Sequence, residues 1–274
     1  MKIYVNGALV AEEDAVLPVS DHGLTVGDGL FETMKVVDGV AFAIGRHLAR
    51  LRRTASGLGL RVPADDELRD AIESTVAANG PAVGRVRMTV TGGTGPAGTS
   101  RGGGPPTVIV QCSPATVWPA TANVVTVPWP RNERGVLAGL KTTSYADNVI
   151  AYAYAEARGG DEALFPNTRD DLCEGTGTNV FVVIDGALVT PPLTAGCLAG
   201  VTRELLLEID PSIAEHDIPM TTFAAVEEAF LTSSTRDVQP IATVDGRRLS
   251  GCGGAATRQA RDALLALQAR TLDP

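Results

Sequence analysis

The sequence predicts an α+β protein of two domains, and three observations support this prediction. Apolar runs around Asn-Gly and Asp-Gly pairs, which favour β-hairpins, recur along the chain. Helical patterns lie between these hairpins without the regular alternation of a doubly wound parallel sheet. The 274 residues can bury two cores, and residues 113–123 hold two prolines and no periodicity. We therefore expect a small N-terminal domain over 1–112, a linker over 113–123 and a larger domain over 124–274.

The first domain alternates hairpins and helices. Short apolar runs around Asn6-Gly7 predict one hairpin, and longer runs around Asp38-Gly39 predict a second. Apolar residues at helical spacing then predict two helices, and two strands joined by a glycine-rich loop end the domain. The predicted ranges are 3–10 and 30–44 for the hairpins, 46–60 and 65–78 for the helices, and 84–93 and 107–114 for the strands.

The second domain repeats this mixture. Its clearest signal is NVFVVI-DG-ALVTPP, a hairpin that turns at Asp185-Gly186. The predicted strands are 123–129, 162–168, 179–192 (the hairpin), 229–234 and 240–244. The predicted helices are 145–158, 200–209, 223–229 and 254–270.

Composition and charge exclude several classes of partner. The formal net charge of −9 argues against nucleic-acid binding, which needs a basic surface. The three histidines show no metal-ligand spacing, and the four cysteines include no CxxC pair, which suggests reduced thiols. The N-terminus lacks the apolar segment of a signal peptide, and no apolar run reaches the roughly 18 residues of a membrane span. We expect a cytoplasmic protein that binds neither metal, nucleic acid nor membrane.

The glycine-rich loop contains a G-x-G-x-x-G match at 93–98, the pattern of a dinucleotide-binding motif. Such a motif must open a helix and be followed by an acid about 20 residues later. Here Pro96 interrupts the match, the continuation TSRGGGPP cannot start a helix, and Trp118 stands near the place of the acid. We interpret the loop as a mobile flap over a pocket.

Lys141 is the first candidate for chemistry. The chain has 23 lysines and arginines, of which only Lys2, Lys35 and Lys141 are lysines, so arginine supplies nearly every positive charge. Arginine cannot lose its proton at a useful pH, whereas a desolvated lysine can, and it then acts as an amine nucleophile. A solvated surface lysine in the polar turn LAGLKTTSYADN is the alternative interpretation of this residue by itself.

Glu174 is the second candidate, placed between an apolar strand residue and a glycine-rich turn. An acid in such a place is usually a turn residue, but a nucleophilic lysine makes another interpretation available. Pyridoxal phosphate needs a lysine for its Schiff base, a carboxylate that keeps its pyridine nitrogen protonated, and NH groups for its phosphate. The predicted helix 200–209 offers free NH groups at its start, and Arg50 would add a bidentate grip on the phosphate.

Six blocks of the chain resemble, in order, the class IV (fold type IV) pyridoxal-phosphate enzymes. This family includes branched-chain and D-amino-acid aminotransferases and aminodeoxychorismate lyase. The blocks are DHGLTVGDGLFET (21–33), RHLARL (46–51), LKTTSY (140–145), CEGTGTNVF (173–181), LAGVTRE (198–204) and LTSSTRDVQPI (231–241). The resemblance covers nearly the whole chain. It implies a two-domain α+β fold with pyridoxal 5'-phosphate in the cleft between the domains, and a homodimer.

The resemblance also implies roles for individual residues. Lys141 corresponds to the lysine that forms the Schiff base and moves the proton, and Glu174 corresponds to the partner of the pyridine nitrogen. The other implied contacts are Tyr145 with the phenolic oxygen, Leu198 with the ring, Arg50, Val201, Thr202 and Ser234 with the phosphate, and Thr235 with the substrate.

Alternation along two strands predicts the residues that face the substrate. In LFETMKV the side chains of Phe31, Thr33 and Lys35 share one strand face, which the family turns towards the active site. Arg87 likewise shares a face of RVRMTVT with the two threonines that follow it. Lys35 and Arg87 are therefore candidates to bind a substrate carboxylate, and a solvated strand charge is the alternative for each.

The chain departs from the family at positions that bear on the substrate. The best-known D-amino-acid aminotransferases carry a tyrosine in place of Phe31, and a flap arginine and histidine where Ala97 and Thr99 align. Aminodeoxychorismate lyases tend to carry flap arginines that are also missing here. Neither carboxylate trap is intact, so we expect Arg101 or Arg236 to replace it.

These observations leave several functions open. The first is an aminotransferase that takes a small-molecule amino donor, favouring D-amino acids and tolerating (R)-amines, and a 2-oxo acid acceptor. The second is a lyase that forms 4-aminobenzoate and pyruvate from aminodeoxychorismate with the same lysine and acid. A branched-chain L-amino-acid aminotransferase is a further alternative. A cofactor-binding protein without turnover is disfavoured, because both Lys141 and Glu174 are present.

Overall fold

The computed structural model describes residues 1–274 and contains two compact units. Unit 1 comprises residues 1–117, 140–145 and 271–274, and unit 2 comprises residues 118–139 and 146–270. The short segment 140–145, called the lysine segment below, lies in unit 1 although the predicted second domain includes it. Between Ser113 and Ala122 the chain forms neither helix nor strand.

Unit 1 is an antiparallel sheet with helices. Its strands are β1 (Lys2–Val5), β2 (Ala8–Ala11), β3 (Gly29–Val37), β4 (Val40–Ala41), β5 (Arg85–Thr91) and β6 (Thr107–Ser113). Its helices are α1 (His22–Thr25), α2 (Ile44–Leu58) and α3 (Asp65–Asn79). The strand order is β2-β1-β6-β5-β3-β4, and every neighbouring pair is antiparallel.

The two predicted hairpins of unit 1 are present at their predicted turns. Asn6 and Gly7 have φ values of 48° and 95°, and Asp38 and Gly39 have φ values of 49° and 79°. Two successive residues with positive φ are typical of the type I′ turn, which matches the twist of the flanking strands. The turn residues therefore fix the register of both hairpins.

Strand β3 separates the core of unit 1 from the face that the sequence predicts to meet the substrate, called the functional face below. Leu30, Met34 and Val36 alternate along the strand and belong to the buried core cluster. The same cluster contains apolar residues of the helices, including Leu48 and Leu51 of α2. Since successive side chains of a strand point to opposite faces, the odd-numbered residues of β3 face away from this core.

Unit 2 is a larger mixed sheet with four helices. Its strands are β7 (Ala122–Thr126), β8 (Glu162–Pro166), β9 (Leu172–Gly175), β10 (Asn179–Ile184), β11 (Ala187–Thr190), β12 (Ala214–Glu215), β13 (Ala229–Ser233), β14 (Asp237–Val244) and β15 (Arg247–Arg248). Its helices are α4 (Ala146–Glu156), α5 (Val201–Ile209), α6 (Met220–Phe223) and α7 (Ala255–Arg270). The order is β12-β11-β10-β13-β14-β7-β8-β9, with β15 paired to β14.

The centre of this sheet is parallel, and its core is apolar. Strand β7 pairs in parallel with both β14 and β8, and the outer pairs β8–β9 and β10–β13 are antiparallel. Phe181 and Phe230 lie opposite each other on β10 and β13, and their rings stack with centroids 5.0 Å apart. The predicted α+β class is confirmed by these two units.

The predicted helix over 223–229 is wrong. Helix α6 ends at Phe223, and Ala229 already begins strand β13. Strand β13 lies between β10 and β14, and its residues AFL form a continuous, fully buried apolar run. The strand over 229–234 is therefore predicted correctly, and the error lies in residues 224–228, which form turns and irregular backbone after the single helical turn of α6.

A separate finding concerns the helices of both units. None of them is both long and apolar enough to cross a membrane.

Candidate active site

The lysine segment is attached to the first half of β3. The Phe31 amide donates to the Lys141 carbonyl at 3.1 Å, and the Thr143 amide donates to the Gly29 carbonyl at 2.8 Å. The Lys141 amide donates to Thr54 Oγ1 of α2 at 3.3 Å. Backbone hydrogen bonds therefore fix the position of Lys141 relative to the functional face of β3.

Phe31 brings the candidate residues of unit 1 together. Lys141 Nζ lies 4.3 Å from the centroid of the Phe31 ring, and the Arg87 guanidinium carbon lies 3.7 Å from it. The Tyr145 ring meets Phe31 edge to face, with centroids 5.2 Å apart. A cation over an aromatic face is attracted by the ring, and an edge-to-face arrangement of two rings is favourable as well. Phe31 thus fixes the neighbourhood of the Lys141 amine.

The predicted alternation along β3 and β5 agrees with the register. Thr33 lies opposite Arg87, and Lys35 lies opposite Arg85. Arg85 was not predicted as part of this face, and it donates to Ser113 Oγ at 2.9 Å and to Thr116 Oγ1 at 3.4 Å.

Arg87 differs from its neighbour. Its guanidinium is half-buried and makes no hydrogen bond or ion pair. It lies over the Phe31 ring, which is a cation–π contact. Burial lowers the pKa of Arg87, as does Arg85, whereas Tyr145 opposes the shift. An arginine remains protonated at neutral pH even so, because its ordinary pKa is above 12. Arg87 is therefore a cation on this face that no acid of the chain neutralises.

Arg50 lies in a buried cluster with Glu32 and His47. Its guanidinium donates from Nε to Glu32 Oε1 at 2.9 Å and from Nη2 to Glu32 Oε2 at 2.7 Å. His47 Nδ1 lies 2.6 Å from Glu32 Oε2, and all three side chains are at most 6% exposed. Arg50 was predicted from the sequence, but its partners were not. The available signal was an acid at an inward position of β3, together with a histidine and an arginine one helical turn apart on α2.

The pKa values in this cluster follow from its geometry. Burial by itself would raise the pKa of Glu32, but the charge and hydrogen bonds of Arg50, together with His47, bring it well below its ordinary value. Burial lowers the pKa of His47, and the charges of Arg50 and Lys141 add to this, while the contact with Glu32 opposes it. At neutral pH the cluster is thus an Arg50–Glu32 ion pair with a neutral His47 that donates its Nδ1 proton.

The two arginines expected to replace the missing carboxylate trap are engaged elsewhere. Arg101 of the glycine-rich loop forms a bidentate ion pair with Asp28, at 2.7 and 2.5 Å. Arg236 is 8% exposed, and it donates to Gln239 Oε1 and to the Asp161 carbonyl. Its guanidinium also stacks on the Trp118 ring at 3.6 Å.

Glu174 is fixed by a backbone amide and an arginine of unit 2. The Leu198 amide donates to Glu174 Oε2 at 2.8 Å, and Arg131 Nε lies 3.3 Å from Glu174 Oε1. Arg131 also donates to Asn148 Oδ1 and lies over the Phe165 ring. Arg131 was not predicted from the sequence, since nothing in the stretch around it signals a partner 43 residues later. These contacts fix the orientation of the Glu174 carboxylate.

The start of α5 is bare backbone. Gly200 is its N-cap, no side chain caps the helix, and the first intrahelical bond runs from the Glu204 amide to the Gly200 carbonyl. A Cβ atom at Gly200 would lie 2.0 Å from Asn179 Oδ1, so a larger residue there would displace the Asn179 side chain. The amides of Val201 and Thr202 therefore have no intrahelical acceptor, which is the arrangement that binds phosphate groups.

Ser234 and Thr235 lie half-buried in the turn between β13 and β14, also in unit 2.

The two cysteines beside the candidate residues are not competing nucleophiles. Burial raises the pKa of Cys197 to about 12 and raises that of Cys173 further, and the nearby Glu174 adds to both shifts. A thiol must ionise to react, so both cysteines are inert at neutral pH.

The groups present fit pyridoxal phosphate. The cofactor requires a lysine amine, an ionised carboxylate and donors for its phosphate. Unit 1 supplies the amine of Lys141, held beside Phe31, and unit 2 supplies the oriented carboxylate of Glu174 and the bare helix start at Gly200. A helix start with free amides fits any phosphate group, and the lysine and the carboxylate are what pyridoxal phosphate requires in addition.

Comparison with known proteins gives the same result. Residues 29–244 match the family described as amino-transferase class IV. A protein of Methanocaldococcus jannaschii named "Putative branched-chain-amino-acid aminotransferase" is 33% identical over 256 residues, covering 90% of this chain and 89% of its own length. The D-alanine aminotransferase of Bacillus licheniformis is 28% identical, covering 96% of both chains.

Solved structures resemble the fold over nearly its whole length. The branched-chain aminotransferase of Thermoproteus uzoniensis has a TM-score of 0.88 and 30% identity, covering 97% of this chain and 94% of its own. The 4-amino-4-deoxychorismate lyase of Pseudomonas aeruginosa has a TM-score of 0.85 and 31% identity, covering 99% and 100%. A T.th. branched-chain aminotransferase, in a complex with N-(5'-phosphopyridoxyl)-L-glutamate, has a TM-score of 0.89, 26% identity and coverages of 98% and 95%. This chain therefore belongs to the class IV aminotransferase family and is a pyridoxal-phosphate-dependent enzyme.

Proposed function

We propose that the enzyme is an aminotransferase that moves an amino group between a D-amino acid and a 2-oxo acid, and that it also accepts (R)-amines. The observation that carries this proposal is Arg87, a half-buried cation without an ion pair that shares the Phe31 ring with the Lys141 amine. A carboxylate held by Arg87 would place its α-amino group near Lys141. The D-alanine aminotransferase relative supports the choice of enantiomer.

Lys141 acts as the amine that holds the cofactor and moves a proton at Nζ. Pyridoxal phosphate, when bound, supplies the electron sink that stabilises negative charge at the substrate Cα. A proton-transfer group must be deprotonated in one half of its cycle. A lysine amine can lose its proton, whereas an arginine keeps its proton at any useful pH. This explains why the position requires lysine and not arginine.

Glu174 would hold the cofactor by accepting a hydrogen bond from its protonated ring nitrogen. The Leu198 amide holds one of its oxygens and Arg131 lies against the other. The amides of Val201 and Thr202 would donate to the phosphate, and Ser234 would add a hydroxyl donor. Arg50 adds a guanidinium that Glu32 holds in one orientation.

The substrate pocket combines an apolar ring with one unneutralised arginine. Phe31 and Thr33 offer an apolar surface and a hydroxyl, Lys35 and Thr235 are further polar contacts, and Arg87 holds the carboxylate. With Arg101 and Arg236 engaged in ion pairs, the grip on a carboxylate is weaker than two arginines would give. A charge-assisted hydrogen bond contributes about 1.5–3 kcal/mol, so amines without a carboxylate should still react, at reduced rates.

The second candidate is the lyase reaction on aminodeoxychorismate. It is favoured by the Pseudomonas aeruginosa lyase, whose structure matches this chain at 31% identity over its full length. The lyase would use Lys141 and Glu174 in the same way, so these residues do not discriminate between the two reactions.

One experiment separates the candidates. Purified enzyme loaded with pyridoxal phosphate is mixed with D-alanine, D-glutamate, L-leucine, an (R)-amine or aminodeoxychorismate, and the cofactor absorbance is followed. We expect conversion to the pyridoxamine form with the D-amino acids and, more slowly, with the (R)-amine. Release of 4-aminobenzoate without such conversion would establish the lyase, and conversion by L-leucine alone would establish the branched-chain enzyme.

A further inference from the structure

Arg101 joins the glycine-rich loop, residues 92–106, to the turn that precedes β3. Its Nε and Nη2 donate to the two oxygens of Asp28, and its Nη1 donates to the carbonyls of Leu58 and Gly59 at 3.0 and 2.8 Å. One side chain thus makes four hydrogen bonds to two separate segments of unit 1. A bidentate pair of this kind has the geometry that fixes orientation as well as distance.

The turn that carries Asp28 also holds the lysine segment. On one side of Asp28, the Gly27 carbonyl accepts from Thr143 Oγ1 at 2.9 Å and from Ser144 Oγ at 3.1 Å. On the other side, the Gly29 carbonyl accepts from the Thr143 amide at 2.8 Å. The residues on both sides of Asp28 therefore accept hydrogen bonds from the segment that contains Lys141.

These contacts are close enough to transmit a displacement. A Cβ atom at Gly27, which has a φ of 68°, would lie 2.8 Å from Ser144 Oγ, and a Cβ atom at Gly29 would lie 2.9 Å from Thr143 Oγ1. A Cβ atom at Gly92 would lie 2.4 Å from Asp28 Oδ2, so the loop backbone also packs directly against the carboxylate. The three glycines therefore allow the 27–29 turn to pack closely against the lysine segment and against the loop, which couples the positions of the three segments.

We propose that Arg101 is a positioning residue for Lys141, which it orients through Asp28 and the 27–29 turn, and that it is not a carboxylate trap. The inference rests on the proposed function of Lys141. Asp28 already neutralises the guanidinium, so Arg101 has little net charge to offer a substrate. In contrast, Arg87 has no such acid.

Hydrogen exchange on the full-length holoenzyme tests whether Arg101 stabilises the hydrogen bonds between β3 and the lysine segment. The reporters are the amides of Phe31 and Thr143, which join β3 to the lysine segment. In Arg101→Gln we expect both amides to exchange about three- to tenfold faster, a modest effect because the ion pair is partly exposed. Asp28→Asn should give the same increase, and the double variant should add little to either single change.

Arg61→Gln is the matched control. Arg61 also anchors the glycine-rich loop, through the carbonyls of Gly103 and Gly104 at 2.9 and 2.8 Å, but it does not touch Asp28. We expect exchange of Phe31 and Thr143 to be unchanged in this variant. Equal acceleration in Arg61→Gln and Arg101→Gln would show that loosening the loop is sufficient, and the proposal would fail.

Steady-state kinetics provide the functional readout. Loss of positioning should lower kcat about tenfold or less for D-amino acids and (R)-amines alike, and Arg101→Lys should restore part of the loss. A trap for the carboxylate would instead raise KM for the amino acid alone, which would overturn the inference. Failure of the proposed function is separate: a yellow, active Lys141→Ala enzyme would remove the role of Lys141 and leave the exchange result intact.

Discussion

At the scale of single residues, the chain distinguishes its cations by their partners. Arg50 is paired with Glu32, Arg101 with Asp28, and Arg236 with Gln239 and the nearby Glu162, so each is held by the fold. Lys141 and Arg87 both lie against the Phe31 ring. The proposed chemistry is assigned to this pair because one is an amine that can lose its proton and the other is a cation that lacks an acid.

Replacing Lys141 with alanine should abolish turnover and the yellow colour of the bound cofactor without unfolding the protein. Loss of a proton-transfer group typically costs about 10²–10⁴-fold in rate, and loss of the covalent attachment adds to this. The measurement is cofactor absorbance together with a single-turnover assay. Lys2→Ala, which changes an exposed lysine, is the control and should behave as wild type.

Glu174→Gln should fold and still bind the cofactor but lose orders of magnitude in rate. A neutral amide keeps the shape of the side chain and removes the charge that favours a protonated ring nitrogen. The assay is the rate of conversion to the pyridoxamine form at saturating substrate. A rate close to that of wild type would reduce Glu174 to a turn residue.

Arg87→Leu should raise KM for a D-amino acid by about 10- to 100-fold, since one charge-assisted hydrogen bond contributes about 1.5–3 kcal/mol. The KM for a simple (R)-amine, which has no carboxylate, should change little. Arg85→Leu is the control, because Arg85 lies on the same face but is bound to Ser113 and Thr116. An unchanged ratio of the two KM values would place the carboxylate elsewhere, with Lys35 the next candidate.

At the scale of elements, β3 organises unit 1 because its two faces have different tasks. Phe31, Thr33 and Lys35 form the functional face, and the alternate residues enter the core under α2. Glu32 is the exception on the core face, a carboxylate at 1% exposure that is tolerated only because α2 supplies Arg50 and His47. The strand and the helix are therefore connected by an ion pair as well as by apolar packing.

Glu32→Gln should lower the free energy of unfolding by about 3–5 kcal/mol, because it leaves Arg50 buried without its counter-charge. The folded-state pKa of Glu32 lies below its ordinary value of 4.5, so the unfolded chain binds this proton more readily than the folded one. Its contribution is fully present above about pH 4.5 and is lost as the pH falls towards the lower folded pKa. The difference between wild type and Glu32→Gln should therefore narrow below that pH.

Urea unfolding at a series of pH values measures this difference. Glu73→Gln is the control, since Glu73 is an exposed helix residue 3.8 Å from Arg69, and such pairs contribute little. A difference between wild type and Glu32→Gln that stays constant down to low pH would contradict a depressed pKa for Glu32.

At the scale of the whole molecule, we propose that the enzyme is a homodimer, as the resemblance to the family implies. Unit 1 exposes apolar side chains close together in sequence, with Val16, Val19 and Leu24 at 75%, 83% and 68% exposure. Large exposed apolar patches are rare on monomers, so we expect the partner chain to pack on this stretch. Val19→Asp together with Leu24→Asp should shift the protein to monomers in sedimentation. Val117→Asp, at an isolated residue with 93% exposure, should not. A wild-type monomer that is fully active would contradict the proposal.

Features that depend on short-range rules could be predicted from the amino-acid order. The Asn-Gly and Asp-Gly turns, the two faces of β3 and β5, and the helices α2, α3 and α7 follow from backbone preferences and from periodicities within a few residues. The ordered motifs around Lys141 and Glu174 likewise identified the family before any fold was known. The predicted 223–229 helix failed because the helical turn begins earlier, after Pro219, and residues 224–228 lead into β13 without continuing it, although their composition permits a helix.

The sequence does not show which charged side chains form ion pairs, and only the tertiary structure shows it. Arg50 and Glu32 are 18 residues apart in sequence and Arg101 and Asp28 are 73 apart, so no local pattern pairs them. The same is true of Arg131, whose contact with Glu174 fixes the carboxylate. Ion pairing depends on distance in space, and burial sets how strongly each pair is held. The sequence contains many arginines that look alike, and only the fold shows that Arg87 lies against the Phe31 ring, as Lys141 does, without forming an ion pair.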